Sequence, residues 1–268
     1  MEHESIIKIR GELDGRIYKI RKGKNYSSKK PAPGIKKDEP ALKDQYTRTA
    51  FLNELASELN GMIKAYNNFI RPNEFYHNLQ SLFRKEPENN RLLLLNQLKG
   101  TEINARHRLL KMNPAPEINV KAVGEHIITE LTVTSHPRRP KRGSNCYFFE
   151  VVILLWDDTG APCELYSQKT SWIYFAGGYP VYDINFPLPD GTTDWMVCVR
   201  ESLGVNDYEY DELGTQGMLV LEVGSFNKKS QKLLEERRKN TEAKRLRKRS
   251  SAKRKVEEEV RVAPREMR

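Results

Sequence analysis

The spacing of apolar residues changes character near residue 116. Before it, Phe51, Leu52, Leu55, Leu59, Met62, Ile63, Tyr66 and Ile70 recur at intervals of three and four, the stripe of an amphipathic helix. The pattern predicts a start at Thr47 or Thr49 and a stop at Arg71-Pro72, because the residue before proline is driven out of the helical region. A second helix carries Phe75, Leu79, Leu82 and Phe83 and ends near Glu86-Pro87. A third starts at Asn89 or Asn90, with Asn as its cap, and runs through Leu92, Leu95 and Leu98 to Gly100. The expectation is a small helical unit over 47–112 whose aromatic stripe is core.

Beyond Pro116 the period falls to two. Candidate strands are Ile118–Val123, Ile127–Thr134, Cys146–Trp156, Cys163–Lys169, Trp172–Phe175, Tyr182–Phe186, Trp195–Glu201 and Met218–Val223, with turns rich in Gly, Pro, Asp and Asn. The densest is NCYFFEVVILLWDD, Asn145 to Asp158, in which ten of fourteen residues are apolar or aromatic. It is too short to span a bilayer, which takes about 20 apolar residues, so it reads as a buried central strand. Helices grouped before strands, and not alternating with them, predict an α+β fold. Its β half, 117–226, is expected to be an antiparallel β-sandwich, immunoglobulin-like or jelly-roll-like.

Two segments flank this body. Residues 1–30 read as a basic β-ribbon arm, with Asp14-Gly15 as a hairpin turn and Gly23 as a second turn, followed by a proline-containing linker over 31–46. Ile7 and Ile9 fall on one side of the ribbon and Lys8 and Arg10 on the other. Residues 227–268 form a basic tail in which Leu233, Leu234, Ala243 and Leu246 are too sparse to bury a helix. A disordered or frayed helical segment that orders on a polyanion is expected there.

Charge sharpens the division. The formal net charge is +10. Residues 227–268 hold 17 Lys+Arg against 7 Asp+Glu, and residues 1–37 hold 11 against 4. Residues 38–226 hold 18 against 25, a balance of −7. The chain is an acidic body with a basic arm at each end, a pattern that bears on partners and not on fold.

Candidate binding residues are therefore cations in three places. The ribbon offers Lys19, Arg21, Lys22 and Lys24, interleaved with Tyr18 and Tyr26. The tail run KRLRKRSSAKRK offers Lys244, Arg245, Arg247, Lys248, Arg249, Lys253, Arg254 and Lys255 with no acid among them. Inside the body, the loop SHPRRPKRGS concentrates Arg138, Arg139, Lys141 and Arg142, again with no acid. It leads directly into the densest strand. Arg106, His107, Arg108 and Lys111 make a smaller cluster.

Other chemistries have little support. The five histidines are scattered without metal-ligand spacing, and Cys146, Cys163 and Cys198 lack CxxC spacing. No zinc site or cofactor is expected, and the cysteines fit free thiols in a reducing compartment. No phosphate-loop, GxSxG or GxGxxG motif occurs. Asp157-Asp158 and Asp190 with Asp194 could serve as acid/base or cation-binding pairs, but each sits at a turn signal, where Asp caps local backbone. No apolar leader or membrane-spanning segment is visible.

The opening residues Ile9-Arg10-Gly11, Asp14-Gly15, Tyr18-Lys19 and Gly23 resemble a family of uncharacterised Bacteroidota proteins. The likeness covers mainly residues 6–100, and the β half by layout; the long basic tail departs from it. The resemblance implies a bacterial, cytoplasmic protein and no activity, cofactor or catalytic residue. Together these features predict a non-enzymatic binding protein that engages a polyanion, nucleic acid or a ribonucleoprotein surface, without sequence-specific readout. An acidic protein surface is the other partner type considered, and no membrane is expected. The alternative is a structural or assembly protein of phage type whose sandwich makes protein contacts and whose charged arms lace neighbours into oligomers.

Overall fold

The computed structural model describes residues 11–13, 16–21, 24–29, 40–66, 72–104, 109, 116–137, 142–212 and 214–243. They fall into two compact units, Met1–Thr49 and Ala50–Arg268, each described by itself.

In the first unit, β1 (Gly11–Leu13), β2 (Arg16–Arg21) and β3 (Lys24–Lys29) form an antiparallel meander. Leu13 pairs with Arg16 and Arg21 with Lys24, so each connection is a two-residue hairpin loop. The turn residues themselves, with Ile7 to Arg10, lie outside the described residues. Helix α1 (Pro40–Met62) starts upstream of Thr47, inside the segment expected to be linker. Proline suits a first helical turn, where its fixed φ is helical and its missing N–H is not needed. Thr49 is no cap: its hydroxyl donates to the Gln45 carbonyl at 2.8 Å, one turn back inside the helix.

The second unit is α+β. After α1 come a 3₁₀ turn (Ile63–Tyr66), α2 (Pro72–Phe83) and α3 (Arg91–Asn96). Asn90 caps α3 as its type predicts, its Oδ1 accepting from the Leu93 N–H at 3.1 Å. The strands are β4 (Glu117–Val123), β5 (His126–Thr132), β6 (Cys146–Asp157), β7 (Pro162–Lys169), β8 (Ile173–Tyr174), β9 (Val181–Pro187), β10 (Thr192–Val205), β11 (Tyr208–Glu209) and β12 (Gln216–Ser225). β6 and β10 pair along almost their whole length at the centre of a six-stranded antiparallel sheet. β7 and β8 flank β6, and β11 and β12 flank β10. A second antiparallel sheet has the order β4-β5-β9. β10 is longer than the stretch Trp195–Glu201 because its ends, 192–194 and 202–205, pair with neighbouring strands. Hydrogen bonding extends the strand there, and apolar periodicity does not reveal it.

Alternation along β6 decides the layering. Val152, Leu154 and Trp156 join Met196, Cys198, Met218 and Val220 in one core with the leucines of α1 and α3. Val151, Ile153 and Leu155 face the other way, into a core with Ile127, Ile184 and Phe186 of the second sheet. Tyr147 and Phe149 extend that face against Leu131 and Val133. Helices thus cover one face of the large sheet and the small sheet covers the other. A strand buried on both faces must be apolar at every position, which is why this one reads as an unbroken run. Among the described residues, no helix is long and apolar enough to cross a membrane.

Residues 228–243 form a further helix, α4, one of the two forms expected for the tail, but its leucines are not too sparse to bury. Leu234 is buried in the helix-side core and Leu233 packs beside it. Arg237 pairs with Glu86 and Glu88, both at 2.6 Å, and Arg238 pairs with Glu222 at 2.5 Å. One leucine suffices because the acidic body supplies carboxylates for the helix's arginines. Residues 244–268, including Lys244–Lys255 and Leu246, lie outside the described residues. Leu234→Ala is expected to lower the unfolding free energy by about 2–4 kcal/mol in urea titration. Lys239→Ala, at an exposed position of the same helix, should change it by less than about 0.5 kcal/mol.

Candidate functional site

The basic loop stands on two fixed roots. At its entrance, the Val133 N–H donates to the Pro180 carbonyl at 3.0 Å, and His136 is held on both ring nitrogens. Its Nε2 lies 3.2 Å from the Gly177 carbonyl and its Nδ1 lies 3.0 Å from the Tyr147 hydroxyl. A carbonyl only accepts, so Nε2 carries the proton and, in the neutral ring, Nδ1 accepts from Tyr147. Burial pushes the Tyr147 pKa up, which keeps that hydroxyl a donor. At the loop's exit, Asn145 donates from its backbone to Gly204 at 3.1 Å and accepts from Phe175 at 3.1 Å. Its side chain exchanges hydrogen bonds with Asn206, at 2.7 and 2.9 Å. Asn206 and Asp207, with φ of 50° and 68°, make the tight turn that sets this partner in place.

Beside these roots lies an open cleft of about 420 Å³, lined by Trp172, Tyr174, Gly178, Tyr179 and Tyr182 among others. The Tyr174 hydroxyl donates to Asp207 at 2.6 Å, a bond that pushes its pKa up to about 12. The Tyr182 hydroxyl is 2.9 Å from that of Ser171. Tyr179 lies against the His136 ring, centroids 4.8 Å apart, yet is 59% exposed. Tyr208, on β11, is 76% exposed. Gly204 lets the Trp172 indole and the Tyr208 backbone approach together; a Cβ there would fall 2.5 Å from the indole and 2.6 Å from the Tyr208 carbonyl oxygen.

A second recess, of about 310 Å³, brings Asp157, Asp158 and Asp194 together with Arg91; Asp190 is not part of its lining. Asp157 acts as a turn cap, accepting from the Thr159 hydroxyl at 2.7 Å and the Ala161 N–H at 2.8 Å, which lowers its pKa. Burial raises the pKa of Asp194, against the opposing effects of a Ser225 hydrogen bond and the Arg91 charge. Glu58 accepts from the Trp156 indole and lies 3.9 Å from Arg91. Gly160, at φ +84°, leaves room for the Arg91 guanidinium, which a Cβ would meet at 2.6 Å. No group of three or more metal-ligating side chains occurs among the described residues.

Sequence reasoning passed over a buried ion network on the helix side of the large sheet. Arg200 on β10 lies directly across from Glu150 on β6, and its Nη1 donates to that carboxylate at 2.5 Å. It also pairs with Glu209 and sits 5.5 Å from the Tyr66 ring and 5.4 Å from the Phe148 ring. The signal was present: one acid inside an otherwise apolar run, and one arginine in the neighbouring strand.

Of the cations expected to bind, Arg142 is described and exposed. Lys19 pairs with Tyr26 and Arg21 with Lys24 along the ribbon. The side chains of Lys19, Arg21 and Lys24 lie outside the described residues. So do Lys22, Arg138, Arg139 and Lys141, and the cluster from Arg106 to Lys111. Pro137 and Arg142 bracket the loop, so Arg138 and Lys141 are each covalently joined to a described root. No protein-family model matches the chain, and no curated protein matches it.

Buried Tyr66 and Cys198, with Tyr147 acting in the same direction, give a pH dependence. Burial raises Tyr66 from 10.0, and Cys198 from 9.0, each to about 12. The unfolded chain releases these protons near the ordinary values, so between about pH 9 and 12 the folded state holds more protons and stability falls as pH rises. Urea midpoints measured from pH 8 to 11 should be level at first and then decline. Tyr66→Phe should make the decline shallower by removing one of the released protons.

Proposed function

We propose that this chain is a non-enzymatic binding protein that holds a polyanion, nucleic acid or a ribonucleoprotein surface, through its basic loop and arms. The observation that carries the reading is the loop itself, four cations without an acid, rooted at both ends on the rigid central sheet. Elsewhere in the body, Arg91, Lys99, Lys121, Lys169 and Arg200 each lie within ion-pair distance of a carboxylate. Their charge is met internally. The excess falls on the loop, on residues 1–37 and on the run Lys244–Lys255.

Binding of this kind draws its free energy from counterion release, each neutralised phosphate contributing affinity that salt removes. It reads backbone charge, in keeping with the lack of any recognition-helix or RNP-type aromatic motif. A cytoplasmic setting belongs to the same reading, since Cys146 and Cys198 are buried free thiols. Kinship with the Bacteroidota family would agree with it.

The test is the salt dependence of affinity for a labelled oligonucleotide, measured for the full chain and for the R138Q/R139Q/K141Q/R142Q variant. The reading predicts a linear fall of log K with log salt and a slope shallower by about three to four in the variant, at about 0.7–0.9 for each of the four lost phosphate contacts. An affinity independent of salt, or a slope unchanged by the loop substitutions, would contradict it.

A further inference from the structure

Charge neutralisation alone needs cations splayed into solvent; it has no use for an aromatic cleft at their root. We infer that the cleft beside His136 takes an unstacked base, so that the polyanion held by this chain is single-stranded nucleic acid. The inference rests on the polyanion reading above and narrows it.

The wall of the cleft offers ring faces. Hydroxyl groups of Tyr174 and Tyr182 are committed to Asp207 and Ser171, which fixes the rings and leaves their π surfaces as the available feature. Tyr179 is more than half exposed, yet it lies against an imidazole that two hydrogen bonds hold in place. An exposed aromatic ring on a rigid support is the platform on which single-stranded nucleic-acid proteins stack bases, and any base can use it because every base has a π face. That tolerance agrees with binding that lacks sequence-specific readout.

Connectivity places charge beside the platform. His136 touches Tyr179, and Arg138 follows two residues later in the chain; Arg142 is exposed at the other root. A strand whose base enters the cleft therefore carries its phosphates past the residues from which the basic loop departs. Duplexes cannot use the cleft without flipping a nucleotide out of the stack, which costs unpairing and unstacking.

The experiment measures fluorescence anisotropy of the full chain with four probes at low salt: a labelled 12-nucleotide single strand, its duplex, a single strand of equal length made of abasic sites, and polyglutamate. The single strand should bind more tightly than the other three. Tyr179→Ala should weaken it by about 5- to 100-fold, the range for loss of one stacked base. Tyr179→Phe should restore it, and duplex and abasic binding should move less than about twofold in either variant. Equal binding of single strand and abasic strand, or a Tyr179→Ala effect shared by both, would overturn the base site and leave the polyanion reading standing. Polyglutamate bound as tightly as the single strand would overturn it in favour of an acidic protein partner. If none of the nucleic-acid probes bound, the polyanion reading itself would fail.

Discussion

Everything in the larger unit depends on β6 and β10 being paired to each other and buried on both faces. A pleated strand sends alternate side chains to opposite sides, so a two-sided burial demands apolar residues at nearly every position and a separate cover for each face. The helices supply one cover and the small sheet the other, with Val152, Leu154 and Trp156 turned one way and Val151, Ile153 and Leu155 the other. Register is held firmly as a result, because a slip of one residue would exchange every side chain between the two cores. Where the pattern yields, at Glu150, it does so opposite Arg200, and the two charges are buried together. Removing Arg200 would leave the Glu150 carboxylate buried without its cation, whereas without Glu150 the arginine keeps Glu209.

This frame holds the residues on either side of the basic loop. Val133 and His136 before the loop and Asn145 after it are fixed by hydrogen bonds to residues of the central sheet and its turns. The same roots shape the cleft: Tyr147 on β6 orients His136, and His136 supports Tyr179. Preorganisation of this sort lowers the ordering cost of binding. The acid recess beside Arg91 is built differently. Asp157 is committed to its own turn, and the buried Asp194 is held by a neighbouring hydroxyl and the arginine's charge.

Much of the fold was legible because burial leaves a period. The helical stripe from Phe51 to Tyr66, the Asn90 cap and eight of the strands of the larger unit could be read from spacing and residue type. The short β11 was missed since two residues carry no period, and the docking of α4 was missed since Leu234 is helped by arginines that apolar counting ignores. The cleft of the candidate site left little trace in the sequence. Charge density singled out Arg138–Arg142 directly, whereas the aromatic cleft is assembled from β8, the turn after it and the start of β9. Tyr174, Tyr179 and Tyr182 are unremarkable in sequence and meaningful only once the fold brings His136 beside them.

The central claim is that binding happens at the loop roots on the sheet's end and not on the helix layer. Hydrogen–deuterium exchange of the full chain, with and without a saturating single-stranded oligonucleotide, tests it most directly. The account predicts slowed exchange in 133–147 and 172–182, with α2 and α3 unchanged. Protection confined to α2, α3 or the acid recess, with none at the cleft, would contradict it.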